Sequence, residues 1–134
     1  MTKRISETAL RKIAIILNHL PPPQLNPNKL RQLHWSERSK VSLEARQEVG
    51  WLAKAQWGND KPMARARISY EFLIKDRRKR DTDNLLAACK PFTDGLIDAG
   101  IILSDDIEHL EYELVRAVYS DKDQTSITIT ELQE

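Results

Sequence analysis

The sequence is poor in residues that build covalent or metal crosslinks. It has a single cysteine, Cys89, which cannot form a disulfide within the chain. The three histidines, His19, His34 and His109, are scattered, so no Cys/His pattern of a zinc site is present. These absences exclude a disulfide scaffold and a zinc finger, and they agree with a reducing compartment.

Long apolar runs are also missing. No stretch approaches the roughly 18 consecutive apolar residues of a membrane span, and the opening MTKRISETALRK has neither the apolar core nor the cleavage site of a signal peptide. The chain has four glycines and no glycine-rich phosphate loop, which disfavours a nucleotide-dependent transferase. We therefore expect a cytoplasmic protein without a membrane segment.

What is present predicts one globular domain spanning residues 1–134. Apolar residues make up 40% and charged residues 31%, enough for a packed core. The net charge of +1 does not by itself predict a nucleic-acid partner, but the charges are unevenly distributed. Basic residues gather at Lys75, Arg77, Arg78, Lys79 and Arg80 and again at Lys29, Arg31, Arg38, Lys40 and Arg46, and acidic residues gather at Asp105, Asp106, Glu108, Glu111 and Glu113. This distribution favours a basic face beside an acidic pocket.

Two segments carry helical periodicity. Residues 37–57 predict a helix that Gly50 weakens, with one apolar stripe formed by Val41, Ala45, Val49, Leu52, Ala53 and Gln56. Residues 83–99 predict a second helix, N-capped by Asp83 and ended by Gly100. Its stripe contains Leu85, Leu86, Cys89, Phe92, Leu96 and Ile97. Pro91 lies inside this pattern, so we expect a kink or a helix in two pieces.

The other segments predict strands. Residues 63–74 alternate most clearly, and residues 107–119 and 125–131 alternate as well, the last two predicting an antiparallel hairpin. Residues 12–20 fit either a buried strand or the end of a helix starting near Ser6. The order is roughly β-α-β-α-β-β, which predicts an α+β fold whose mixed sheet of about four strands packs against two main helices.

The stretch DRRKRDTDNLL, residues 76–86, sets a basic run directly against two carboxylates. Asp81 and Asp83 are spaced i, i+2 and point the same way if the residue between them is extended. Neighbouring carboxylates repel unless a cation lies between them, and Mg²⁺ takes one or two carboxylates together with substrate phosphates. The basic run would neutralise phosphates, and the pair Asp105–Asp106 supplies further ligands from a distant loop.

The same residues have a plainer interpretation. The two aspartates can be a helix N-cap with a neighbour, and the basic run can be a solvated turn. Lys90 would lie on the side of Asp83 in a continuous helix and could contact a phosphate, or it could form a surface ion pair with Asp94.

Other candidate residues favour structural roles. The tryptophans at 35, 51 and 57 could stack on bases, but packing in a core or dimer is favoured for each. His34 is expected to cap a helix or lie on the surface, and Cys89 to lie in the core.

The segment 76–107 resembles the signature of the RusA family of Holliday-junction resolvases. That signature is D-x-D-N, a lysine, D-[AG]-L, a glycine and D-D. The corresponding residues are Asp81, Asp83, Asn84, Lys90, Asp94, Gly95, Leu96, Gly100, Asp105 and Asp106. LPPPQLNPN, after an apolar segment, is similar to the N-terminal region of the family.

The resemblance implies a homodimeric, Mg²⁺-dependent endonuclease that nicks four-way DNA junctions symmetrically in recombination and repair, often encoded by phages or prophages. It makes Asp81, Asp83 and Asp106 the metal-binding catalytic carboxylates, with Asp105 as a neighbouring ligand, and Lys90 the active-site lysine. Mn²⁺ would be the substitute metal. In some members the lysine follows the second aspartate by four residues, whereas here it follows by seven. The alternative is a non-catalytic DNA-binding relative.

Overall fold

The computed structural model describes residues 10–27, 34–78 and 80–133. Its strands are β1 (Lys12–Leu17), β2 (Ala66–Ile74), β3 (Leu110–Tyr112), β4 (Arg116–Tyr119) and β5 (Gln124–Glu131). Its α-helices are α1 (Trp35–Trp57), α2 (Thr82–Ala87) and α3 (Lys90–Asp98), and a short 3-10 helix spans Pro23–Leu25. The fold is therefore α+β, as the sequence predicts.

The strands form one mixed sheet with β5 inside it. The order is β1-β5-β2-β3, and β4 continues the edge beside β2 where β3 ends. β5 is antiparallel to both β1 and β2, whereas β3 and β4 run parallel to β2. The predicted hairpin of residues 107–119 with 125–131 is thus wrong, because β5 inserts between β1 and β2 and does not pair with its neighbour in sequence.

The N-terminal segment is a strand over Lys12–Leu17, and this resolves the ambiguity left by its apolar pattern. Its side chains alternate strictly between exposed and buried, with Ile13, Ile15 and Leu17 facing the core. That period of two is the pattern of a strand with one buried face. Ser6, where the alternative helix would start, lies outside the described residues.

Helix α1 is two residues longer at its start than residues 37–57. His34 is its N-cap, and the Nδ1 atom of His34 accepts a hydrogen bond from the backbone N–H of Ser36 at 3.2 Å. The predicted capping role of His34 is confirmed. The buried residues are Ala45, Val49, Ala53 and Trp57, with Val41 partly buried. Leu52 and Gln56 were wrongly included in the stripe, because they lie beside this buried face and are exposed.

The second predicted helix is broken into α2 and α3 at Ala88 and Cys89. Pro91 occupies the first turn of α3, where its missing N–H costs no helical hydrogen bond. Asp81, and not Asp83, occupies the N-cap of α2, so the predicted cap was two residues late. Cys89, Phe92 and Leu96 are buried as predicted.

Helices α1 and α3 cross closely, and α3 packs against the buried face of β2. The Tyr70 hydroxyl of β2 and the Thr93 hydroxyl of α3 are 2.9 Å apart and share a buried hydrogen bond. Ile13 and Ile15 of β1 and Ile127 and Ile129 of β5 complete this core. Within the part of the chain that the structure describes, no helix is long and apolar enough to cross a membrane.

Candidate metal and nucleic-acid site

The basic turn after β2 is organised by one carboxylate. The Asp76 carboxylate accepts hydrogen bonds from the backbone N–H and the guanidinium of Arg78, and it lies 3.9 Å from Arg80 Nη2. The hydrogen bond from the backbone N–H of Arg78 is the largest of the effects that lower the pKa of Asp76. The turn is therefore held in shape by its own ion pairs, which leaves less of its charge free for a ligand. Lys79 lies outside the described residues.

Arg77 is oriented differently from its neighbours. Its guanidinium carbon lies 4.9 Å from the centre of the Tyr119 ring, at the end of β4. Among the described residues no carboxylate pairs with Arg77, whereas Arg78 and Arg80 both face Asp76. Lys75 is exposed, and its N–H donates to Asp123 at 2.8 Å. Arg77 thus presents a cation that is held over an aromatic ring and not neutralised by these residues.

Asp81 and Asp83 stand at the start of α2 with their side chains exposed. Thr82, between them, is the first residue of the helix and is not extended, so the condition under which the two side chains would point the same way is not met. Asp81 accepts helical hydrogen bonds through its backbone oxygen, and its side chain makes no capping hydrogen bond. No hydrogen bond or ion pair joins either carboxylate to another residue in 10–27, 34–78 or 80–133. The two residues thus occupy the N-cap and the first turn of α2, as the plainer interpretation predicts, and neither carboxylate is engaged by a described residue.

A cleft of about 780 Å³ opens beside Asp81. Residues 20–23, with their three prolines, form one wall, and Arg78, Arg80, Asp81 and Asn84 contribute to the polar side. Arg80 is largely covered, and its Nε atom is buried without a hydrogen-bond partner among the described residues. The cleft thus combines an apolar wall with cationic donors and a carboxylate.

Lys90 bridges two carboxylates from different segments. Its Nζ atom lies 2.8 Å from Asp94 Oδ1 in α3 and 2.6 Å from Asp105 Oδ2 in the following loop. The pair with Asp94 is the surface interaction that the sequence offered as the plainer alternative. The hydrogen bond to Asp105 raises the pKa of Lys90, and the same contact lowers the pKa of Asp105. Lys90 therefore ties the start of α3 to the loop that contains Asp105.

Asp106 is engaged by its own loop. Its Oδ1 atom is 2.6 Å from His109 Nδ1, and it accepts from the backbone N–H groups of Glu108 at 3.0 Å and His109 at 3.2 Å. The hydrogen bond from the His109 ring is the main cause that lowers the pKa of Asp106. These contacts close the turn and occupy one of the two carboxylate oxygens of Asp106.

Magnesium fits part of the carboxylate set. Asp81 and Asp83 offer hard oxygen atoms that no described residue engages, which suits an ion that binds one or two carboxylates and completes its shell with water and phosphate. Asp106 does not form a three-membered ligand group with them here, and nowhere in the described ranges do three His, Cys, Asp or Glu side chains form such a group. The expected ligand set is therefore not assembled among the described residues.

The remaining candidates divide between core and surface. Trp57 and Cys89 are buried, and burial raises the pKa of the Cys89 thiol far above its usual range, as expected for an inert core residue. Trp35 and Trp51 are 65% and 72% exposed. The proposed core role is confirmed for Trp57, while the other two remain surface aromatics.

The sequence did not identify two contributors to this region. Tyr119 supports Arg77 from a strand that lies far along the chain. His19, which the sequence showed only as a scattered histidine, lines the cleft and contacts Glu48 of α1. The proline run was a visible local signal for a rigid wall, but nothing in the sequence signalled the pairing of His19 with Glu48.

Comparison with known proteins identifies a relative of the chain but no family model. No protein-family model matches the sequence. An uncharacterized protein of Xylella fastidiosa (strain Temecula1 / ATCC 700964) is 35% identical over 114 residues, which cover 82% of this chain and 71% of that protein. The chain belongs to the same family as this Xylella protein. Because that relative is uncharacterized, the kinship brings no activity with it.

Proposed function

We propose that the chain is a Mg²⁺-dependent endodeoxyribonuclease that resolves four-way DNA junctions by paired nicks. The observation that carries the proposal is the pair Asp81 and Asp83, exposed and unengaged by described residues, directly after a basic turn. Carboxylate oxygens that no described residue engages are available to a cation such as Mg²⁺. The adjoining cleft, with Arg78 and Arg80, suits the phosphates of a nucleic-acid strand.

Asp81 and Asp83 would hold the metal ion. When bound, Mg²⁺ would stabilise charge on the reacting phosphate and make an attacking water more acidic. Arg78 and Arg80 would bind phosphate oxygens at the cleft, and Arg77 would contact the DNA backbone outside the cleft. Lys75 and Lys79 complete the proposed DNA-binding turn.

The proposal includes three further candidates that already have partners within the protein: Asp105, Asp106 and Lys90. Asp105 is bound to Lys90, and Asp106 is bound to His109. If either aspartate serves as a ligand, either its second carboxylate oxygen binds the metal or its protein partner gives way when the substrate is bound. If Lys90 acts on the substrate, its ion pairs with Asp94 and Asp105 must open.

The preference for a four-way junction, the homodimer and the role in recombination, repair or prophage DNA processing rest on the resemblance of segment 76–107 to the resolvase signature. Two-fold symmetry gives the dimer a physical reason, because two equivalent cuts need two equivalent sites. Such an enzyme would work in the cytoplasm on cellular DNA.

The first test uses a labelled synthetic four-way junction with Mg²⁺, beside a linear duplex. We expect paired nicks in the junction and a loss of about 100-fold or more in the cleavage rate of Asp83→Asn, because loss of supporting groups alone costs metal sites about 10–100-fold. Junction binding, measured in Ca²⁺, should survive in this variant. Asp121→Asn is the matched control, since Asp121 is also an exposed aspartate but lies in the turn between β4 and β5 and not at the start of α2.

Other outcomes would change the assignment. Cleavage by Asp83→Asn at the wild-type rate would remove Asp83 from the metal site. Tight binding without cleavage, in either Mg²⁺ or Mn²⁺, would favour the second candidate, a non-catalytic DNA-binding relative. That candidate is supported by the engagement of Asp105 and Asp106 with Lys90 and His109. Neither binding nor cleavage would overturn both.

A further inference from the structure

His19 joins the strand end at the cleft to helix α1. It follows β1 by two residues, and its Nδ1 atom lies 2.8 Å from the backbone oxygen of Leu20. Its Nε2 atom lies 2.9 Å from each carboxylate oxygen of Glu48. The ring therefore connects helix α1 to Leu20, the first residue of the proline wall (residues 20–23 of the cleft).

Both ring nitrogens of His19 face groups that only accept hydrogen bonds. A neutral imidazole carries one N–H, so it can satisfy either Leu20 or Glu48 but leaves a lone pair facing the other. The doubly protonated ring satisfies both. Burial alone lowers the pKa of His19, but the Leu20 oxygen and the Glu48 carboxylate raise it by more, so its pKa lies above the usual value. The contact geometry thus selects the cation.

The proline wall is held by packing, with Pro21 buried and Leu20 against the core, and by contacts at its two ends. Pro21, Pro22 and Pro23 have no backbone N–H, so they cannot fix themselves by donating hydrogen bonds. At the far end Leu25 is buried and its N–H donates to the oxygen of Pro22. At the near end the backbone oxygen of His19 accepts from the Thr125 hydroxyl of β5 at 2.8 Å. At this end, the hydrogen bond between the His19 ring and Glu48 is the contact that changes with the protonation of His19.

We infer that His19, as the doubly protonated partner of Glu48, is a positioning residue that holds the proline wall across from Arg78, Arg80 and Asp81. Protonation of His19 then controls the shape of the cleft near neutral pH. That the occupant is DNA rests on the proposed function, while the protonation-dependent wall does not. Lowering the pH protonates His19 and holds the wall, and raising the pH through the pKa of His19 loosens it.

Few charged residues of the described chain lie near His19. Glu48 faces it from α1, Thr125 contacts it from β5 without a charge, and the cleft brings Arg78, Arg80, Asp81 and Asp123 to the same space. Glu48 is the charged residue that raises the pKa of His19. Glu48→Gln removes this charge yet can donate its amide N–H to a neutral ring, so it separates the charge from the contact.

The test combines NMR titration of the ring with DNA binding. From about pH 5.5 to pH 8.5, the His19 ring and the amides of Leu20 and Leu25 should titrate together, and junction affinity in Ca²⁺ should fall about five-fold or more. In Glu48→Gln the His19 titration should move to lower pH and the fall in affinity should move with it. His34→Asn, which keeps a capping side chain away from the cleft, should behave as wild type.

Two results would overturn the inference. One is a His19 titration that does not move in Glu48→Gln. The other is a wild-type ring that titrates while the amides of Leu20 and Leu25 stay unchanged. If wild type binds no junction at any pH, the proposed function fails, and the ring and amide titrations, which use no DNA, still decide whether His19 positions the wall.

Discussion

At Gly95, helix α3 lies too close to helix α1 to leave room for a side chain. A Cβ atom built on Gly95 of α3 would overlap the backbone oxygen of Arg46 and lie 3.0 Å from the backbone nitrogen of Gly50 in α1. Both of these neighbours belong to the backbone and cannot rotate away. At Gly50 an added Cβ would meet Gly95 oxygen at 3.5 Å, an ordinary contact. The two glycines therefore share one crossing but differ in how much they tolerate.

We expect Gly95→Ala to lower the free energy of unfolding by about 1–3 kcal/mol, because the added methyl overpacks two backbones. Gly50→Ala should raise it by up to about 0.5–1 kcal/mol, because alanine is the better helix former. Urea unfolding of both variants measures the pair. Equal effects of the two substitutions would contradict this account of the crossing.

At the scale of elements, β4 supports the basic turn from the side. β4 pairs in parallel with the last residues of β2, so Tyr119 lies beside Ile74, where the turn begins. Arg77 is thereby held over the ring, while Arg116 in the same strand pairs with Glu71. β4 thus supplies the ring beneath Arg77, which no described carboxylate engages, while the arginine of β4 itself is already paired.

If the chain binds DNA, Arg77→Ala should reduce the slope of log affinity against log salt by about 0.9, the value for one phosphate contact. Tyr119→Ala should weaken binding about two- to five-fold, because an exposed cation–π contact contributes about 0.5–1 kcal/mol. Fluorescence anisotropy across a salt series measures both effects. Arg116→Ala is the control. A loss as large in Arg116→Ala would mean that only overall charge matters.

The elements themselves were largely predictable because their signals are local. Alternation in β2, the proline at the start of α3 and the basic turn after β2 are all readable from adjacent residues, whereas the apolar residues of β1 fitted a strand or a helix equally. The partner of β5 was not, because Ile127 and Ile129 show that a strand is buried but not which strands flank it. The engagement of Asp105 and Asp106 was equally hidden, since loop geometry decides which cation reaches each carboxylate.

At the scale of the whole molecule, β5 joins the two halves of the sheet. Ile129 pairs with Ile13 on one side and Ile68 on the other, and all three side chains are buried. The Arg11 guanidinium also binds both carboxylate oxygens of Glu131, at 3.0 and 2.7 Å, at the end of β5. Loss of packing in β5 therefore affects β1 and β2 together.

Ile129→Ala should lower the free energy of unfolding by about 2–5 kcal/mol, the cost of a large-to-small change in a packed core. Ile107→Ala, the same substitution at a side chain that is 93% exposed, should change it by less than about 0.5 kcal/mol. Thermal and urea unfolding measure both variants. A small effect at Ile129 would show that the strands beside β5 do not depend on its packing.

The inside position of β5 also affects how the chain folds as it is synthesised. β1 leaves the ribosome well before β5, the strand that pairs with it, and the contact between Arg11 and Glu131 spans 120 residues. Until then β1 exposes an unpaired edge and the apolar side chains Ile13, Ile15 and Leu17. Such distant pairing is slow to form, so we expect the sheet to close only after β5 has emerged, with the nascent chain prone to aggregation and to chaperone binding before that.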